Sequence, residues 1–333
     1  MTATESMNTC RPSHKARYDR HSVGRLIALL LLWGFVAFAL RDAALLAKTV
    51  QDALSLCIRQ VIPVLFPIAA AGGLLTTLAP PPRFLCRPIG RLFCLSDASV
   101  GVLLIALVSG FPIGAMLASR LLEAERISRE EASRLACYTN NASAAFLTGC
   151  VGAGFFGSPR LGWILWVAST LAALLVGLWM GRHAPRPAAD RGSARPLPSP
   201  GELAQALKAT GQGMLNLTAF VVFFAVFCAF LKQSLTALLP SGAIANYVSA
   251  ITLATFEITG GLSAIAHLSA LLPLRMALSG AAAGFGGLSV FLQCMAAGGA
   301  LQMESAGKRL FTARLFIGIL SGILAFLFTL IWG

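Results

Sequence analysis

Long neutral stretches separated by short basic clusters dominate the pattern of this chain. Apolar runs fall at 26–40, 60–79, 98–119, 136–158, 161–181, 209–231, 243–274, 276–303 and 315–333. A helix that crosses a bilayer needs about 20 apolar residues. The first run is short, bounded by Arg25 and Arg41, whose long side chains can reach the interface. It also holds Ala37-Phe38-Ala39, which fits a cleavable signal peptide, although the basic leader is long and the rest of the chain is equally apolar. Between Ala43 and Arg59, apolar positions recur at helical spacing around Lys48 and Asp52, the pattern of an amphipathic interfacial helix.

Two runs look wrong for ordinary spans. Residues 136–158 contain Thr139-Asn140-Asn141, and 276–303 contain Gly280, Gly284, Gly286 and Gly287. Backbone broken at membrane depth survives only where protein or a water-filled cavity satisfies it. The pattern therefore predicts an all-α polytopic membrane protein with about seven transmembrane helices and two re-entrant helical hairpins, placed in these two runs.

Composition supports lipid as the solvent. Hydrophobic residues make up 57% of the 333, charged residues 12%, and mean hydropathy is +0.77. Soluble domains carry about 25% charge. The net charge of +13 sits in clusters without interleaved aromatics, which argues against nucleic acid. With a cytoplasmic N-terminus and two re-entrant segments, 17 of the 26 Lys and Arg fall inside and 9 outside. Arg120, Arg126, Arg129 and Arg134 fit this orientation least well. The eight cysteines form no C-x-x-C pair and read as small buried hydrophobes.

These boundaries divide the chain into a basic cytoplasmic tail (1–24), a first span with the interfacial helix (25–59), a first unit (60–182), a Pro/Ala/Arg-rich cytoplasmic linker (183–208) and a second unit (209–333). Motifs in the two units share an offset. Gly114 precedes Ser143 by 29 residues, Gly260 precedes Ser289 by 29, and each pair is 146 residues from its counterpart. Three crossings per unit would give the units opposite orientations, the inverted-repeat plan of secondary transporters.

Candidate site residues follow from the broken segments. Ser109, Gly110 and Pro112 mark an unwound stretch inside a span, because Pro112 lacks an N–H; a packing kink is the plainer reading. Ser128 and Glu131 form a capping-box pattern before Thr139, Asn140, Asn141 and Ser143. A helix starting at these asparagines would turn its positive end inward and attract a carboxylate; alternatively the amides only cap the break. Gly286, Gly287, Ser289 and Gln293 offer backbone N–H groups and polar side chains, or merely close helix packing. Glu257, beside Thr259, is the carboxylate placed inside an apolar run, a site for a coupling ion, a substrate donor or a structural partner. No Ser-His-Asp set, H-E-x-x-H, phosphate loop or dinucleotide fingerprint occurs, so an enzyme is not expected.

The stretch SGFPIGAMLASRLLEAERISREEASRLACYTNNASAAFLTGCVG (109–152), with FEITGG (256–261) and GFGGLSVFLQ (284–293), resembles the YlbJ-type sporulation integral membrane proteins, also called SpoVV. These sit in the nucleoside-recognition, or Gate-domain, superfamily. The resemblance covers most of 25–333 and departs at Phe291, where a polar residue is the family expectation. It implies a carrier of dipicolinate across the outer forespore membrane, in an organism that forms spores. Nucleoside or other small-metabolite carriage is the alternative within transport. A scaffold or partner subunit is the alternative outside it. The implied partners are a carboxylate-bearing small molecule, membrane lipid and a second copy of the chain. No resident cofactor is expected, and a coupling proton or sodium ion is left open.

Overall fold

The computed structural model describes residues 15–78, 81–185, 187, 199–240, 242–301 and 304–333. The linker residues 188–198 and the first 14 residues of the basic tail, Cys10 included, lie outside that set. The chain forms two compact units that divide between Lys48 and Thr49.

The first unit holds α1 (Lys15–Arg41) and the start of α2 (Ala43–Leu56). Asp42 separates them, and its carboxylate accepts the Leu45 N–H at 3.0 Å, capping α2. The second unit continues through a π-helical turn (Cys57–Val61) into α3 (Ile62–Leu78), then α4 (Arg83–Phe93), α5 (Asp97–Ser109), α6 (Ile113–Glu123) and α7 (Arg129–Tyr138). A π-helical segment (Phe146–Phe155) precedes α8 (Pro159–Arg182). After the linker come α9 (Pro200–Leu238), α10 (Ala243–Phe256), α11 (Ile258–Ala266), α12 (Leu272–Phe285), α13 (Gly287–Ala297), a 3₁₀ turn (Gly299–Leu301) and α14 (Glu304–Trp332).

Among the described residues, four helices are long and apolar enough to span a bilayer: Pro159–Arg182, Leu203–Leu238, Leu272–Ala297 and Ala306–Trp332. The pair Arg83–Phe93 and Asp97–Ser109, bent by 91°, makes at most a fifth. Seven long spans are expected from hydropathy. The difference arises because several apolar runs are cut into shorter helices.

Two cuts reverse the chain. A Cβ on Gly72 would lie 2.8 Å from Ile105 and 3.6 Å from Leu117. In a straight helix those two residues would stand about 18 Å apart. α5 and α6 therefore fold back on each other around Gly110-Phe111-Pro112. Likewise a Cβ on Gly261 would overlap Ala254, seven residues earlier, so α10 and α11 form a hairpin turning at Glu257. Both hairpins lie in runs that hydropathy presents as ordinary spans, 98–119 and 243–274. Conversely, the run 276–303 is expected to be re-entrant, yet α12 and α13 continue as one 26-residue length across Gly286. An apolar turn and an apolar span have the same hydropathy, which explains the exchange.

Small residues fix the packing behind these breaks. Gly280 and Gly284 of α12 meet α14, and a Cβ on Gly284 would lie 2.8 Å from the Gly318 Cα. Gly318 and Gly322 meet Ala281 and Ala277 in return. Glycines four apart on both helices let the backbones approach, which lipid-immersed helices need because lipid tails give them no hydrophobic drive to associate.

The expected capping box at Ser128 is half present. Its hydroxyl accepts the Glu131 N–H at 3.2 Å, but the Glu131 carboxylate accepts the Ser96 N–H at 2.7 Å instead. Arg134, one turn on, donates to the Phe93 and Cys94 carbonyls at 3.0 and 2.7 Å. α7 thus caps both sides of the 91° corner between α4 and α5. Arg134 is buried in this role and is not the loop charge that the orientation count supposes.

Candidate functional site

The two hairpin tips and the two remaining breaks converge on one cavity of about 610 Å³. Ser109, Gly110 and Phe111 come from the first tip, and Glu257, Ile258 and Thr259 from the second. Ser143 comes from the break after α7, and Ser289 and Gln293 from α13. Phe146, Leu65, Leu217 and Val221 supply apolar walls, and Arg59 of the π-helical turn lies on the rim. The volume suits a small organic molecule, and mostly apolar walls with a few fixed polar groups are the usual form of such sites.

Local backbone chemistry builds each tip. Gly110 has φ +85°, and a Cβ there would sit 3.0 Å from both the Ser143 Cβ and N, so glycine is required by conformation and by space. The Phe111 N–H donates to the Asn141 carbonyl at 2.9 Å, tying the first tip to the break after α7. At the second tip Glu257 is extended and caps α11. Its Oε1 accepts the Thr259 N–H at 2.8 Å and its Oε2 the Gly260 N–H at 2.7 Å. Each oxygen retains a lone pair, so one carboxylate both starts a helix and faces the cavity. Ser143 caps the following helix, accepting from the Phe146 N–H at 3.3 Å. Ser109 donates to the Ile105 carbonyl at 2.6 Å.

Gln293 stands at a boundary. Its Nε2 donates to Ser289 Oγ at 3.0 Å, while its buried Oε1 has no partner. With Leu217 it also lines a second cavity of about 280 Å³, which Pro112, Arg120, Glu123, Gln212 and Asn216 border. The first hairpin tip is therefore shared: Phe111 faces the first cavity and Pro112 the second.

The remaining expected site residues stand behind the wall. Asn140 accepts the Ala115 N–H at 3.0 Å and donates to the Ala136 carbonyl at 2.7 Å. Asn141 donates to the Tyr138 carbonyl at 2.9 Å and accepts from Arg314 Nη1 at 3.0 Å. Thr139 donates to the Leu135 carbonyl at 2.8 Å and packs on Gly114. These buried groups satisfy the backbone that the break exposes, so neither asparagine amide faces the cavity. Gly286 and Gly287 adopt φ +86° and +78°, and they form the turn that aims α13 and its Ser289 into the cavity.

Sequence reasoning missed Arg314. It lies within α14, 2% exposed, although the charge count treats it as a loop residue. Its Nε donates to the Phe285 carbonyl at 3.1 Å and its Nη1 to Asn141, while Nη2 has no hydrogen-bond partner. Among the described residues it makes no ion pair with a carboxylate. One guanidinium thus joins the break after α7 to the break after α12. The signal was in the sequence: Leu310-Phe311-Thr312-Ala313 precede it and an apolar run follows.

An all-helical chain with several bilayer-length apolar helices, cut by short non-helical segments around an internal cavity, is a multi-pass integral membrane protein. Among curated proteins it is similar to the Sporulation integral membrane protein YlbJ of Bacillus subtilis (strain 168). The two are 28% identical over 274 residues, covering 72% of this chain and 65% of that protein. That similarity supports the YlbJ-type family to which the motifs at 109–152, 256–261 and 284–293 point. No family model matches the chain, and no solved structure matches it.

Proposed function

We propose that the protein carries a small polar metabolite across the membrane and that the 610 Å³ cavity is its substrate site. The observation that carries this reading is the convergence of two reversed hairpin tips and two broken helices on one cavity. Half-helices meeting at a site are the arrangement by which secondary transporters hold substrate near the membrane midplane. An inverted repeat fits the same reading. α5 ends at Ser109 and α10 at Phe256, α7 at Tyr138 and α12 at Phe285, so both pairs of helix ends are offset by 147 residues.

For the substrate, the family resemblance favours dipicolinate, and the relative's name favours a role in sporulation. Arg59 on the rim and the hydroxyls of Ser143 and Ser289 suit carboxylate oxygens. One observation favours the second reading, a nucleoside: Glu257 presents carboxylate lone pairs to the cavity, which pair best with substrate hydroxyl or amine donors. Uptake of labelled dipicolinate and labelled nucleosides into proteoliposomes separates the two. Saturable flux of one is expected, lost in Glu257→Gln and Ser289→Ala protein that still elutes as a folded species. A scaffold would show no saturable flux of either, and cells would tolerate both substitutions.

A further inference from the structure

The surface of α4 carries a pattern that the transport reading does not use. Arg83, Arg87 and Arg91 recur every fourth residue and are exposed along one stripe. Phe84, Pro88 and Leu92 form a parallel exposed stripe beside it, with Phe84 73% and Leu92 60% exposed. Cys86 and Phe93 lie on the third side and are buried. On a helical wheel these are three adjacent arcs, basic, apolar and core-facing. A helix in water has no use for the apolar stripe, and a helix inside the bilayer has no use for three arginines.

Two further observations set its depth and direction. α4 meets α5 at 91°, and the corner is locked by Glu131 on Ser96 and by Arg134 on Phe93 and Cys94. The end of α4 also packs on the end of α8, a 24-residue span. Gly181 lies against the Phe93 backbone, and Cys94 Sγ is 3.4 Å from the Pro185 carbonyl. Trp179, 62% exposed and 5.5 Å from the His183 ring, marks that end of α8 with the aromatic residue typical of the membrane interface. α4 therefore sits where α8 leaves the membrane and runs across, not along, the helix that follows it.

We propose that α4 is an interfacial helix that binds the headgroups of an anionic bilayer leaflet through Arg83, Arg87 and Arg91, with Phe84 and Leu92 inserted beside the acyl chains. Basic side chains beside anionic lipid attract it in a salt-dependent way, and an apolar stripe anchors the helix in the plane of the interface. The proposal is independent of what the cavity binds.

The test uses full-length protein in bilayers. A Phe84→Trp substitution adds a local fluorophore, read against the wild-type background. Quenching is compared between brominated phosphatidylglycerol and brominated phosphatidylcholine. The anionic lipid is expected to quench at least about fivefold more effectively, the preference that ~1 kcal/mol from even one basic residue at an anionic surface would give. The preference should fade as salt rises, vanish in Arg83→Gln/Arg87→Gln/Arg91→Gln, and survive in the matching triple Lys variant. Equal quenching by both lipids, or quenching by neither, overturns the proposal. So does loss of the preference in the Lys variant, which would mean a guanidinium-specific partner. If the Gln variant does not fold, the salt dependence of the Phe84→Trp protein decides alone.

Discussion

Arg314 and Asn141 show how a single contact can hold two distant breaks together. A buried cation without a carboxylate depends on dipoles, and here the Asn141 amide and the Phe285 carbonyl provide them. Truncating the amide strands a buried charged donor, at a cost of about 3 kcal/mol or more. Removing the arginine together with the amide removes the demand as well as the supply. The double mutant Asn141→Ala/Arg314→Met is therefore expected to be less destabilised than the sum of its singles. Thermal unfolding of the detergent-solubilised protein measures this; additive shifts would show that the two residues are not coupled. Glu257 differs in kind, because its oxygens cap α11 and face the cavity at once. Glu257→Gln turns one cap acceptor into a donor. It is expected to cost about 1 kcal/mol of stability, a smaller effect on folding than on flux.

At the level of elements, the hairpins and the glycine seam carry the strongest expectations. If α5 and α6 fold back at Gly110–Pro112, cysteines introduced at Ile105 and Leu117 will cross-link through a short bifunctional reagent within one chain. A continuous helix would hold them about 18 Å apart and give no product. Gly284→Leu puts a branched side chain where a Cβ alone is 2.8 Å from Gly318. Overpacking of this kind costs about 1–3 kcal/mol, so the variant should show a lowered unfolding midpoint and reduced yield. A substitution at Gly149, which has open space at its Cβ, should leave both unchanged.

For the molecule as a whole, the packing of Gly181 on Phe93 brings the loop that holds α4 and the start of the linker to one face. In a cysteine-free background, Pro82→Cys and Pro187→Cys should therefore react with an impermeant thiol reagent from the same side of the membrane, the cytoplasmic side. Labelling from opposite sides would contradict the packing, and joint periplasmic labelling would invert the orientation. The charge count behind that orientation does not carry over to this fold. Arg134 and Arg314 are buried rather than loop charges. The α5–α6 hairpin, with Glu131 on Ser96 and Arg134 on Phe93 and Cys94, brings Arg129 to the side of α4.

Membrane class, helical content and the identity of the special segments were legible in the sequence, because each follows from local chemistry. Lipid demands long apolar runs, and clustered asparagine, proline and glycine favour interruptions within them, although Pro67 and the Gly72-Gly73 pair stand inside α3. The exchange of hairpins and broken helices was not legible, because hydropathy records how apolar a segment is and not which way it points. Ile105, Leu117 and Gly72 are separate residues in the sequence, and only their meeting reveals the turn. The same holds for the site. Ser109, Ser143, Glu257, Ser289 and Gln293 were recognisable from their types, but Asn140 and Asn141 look identical whether their amides face a ligand or a backbone carbonyl. That choice depends on where Ala115, Tyr138 and Arg314 lie, and tertiary packing alone decides it.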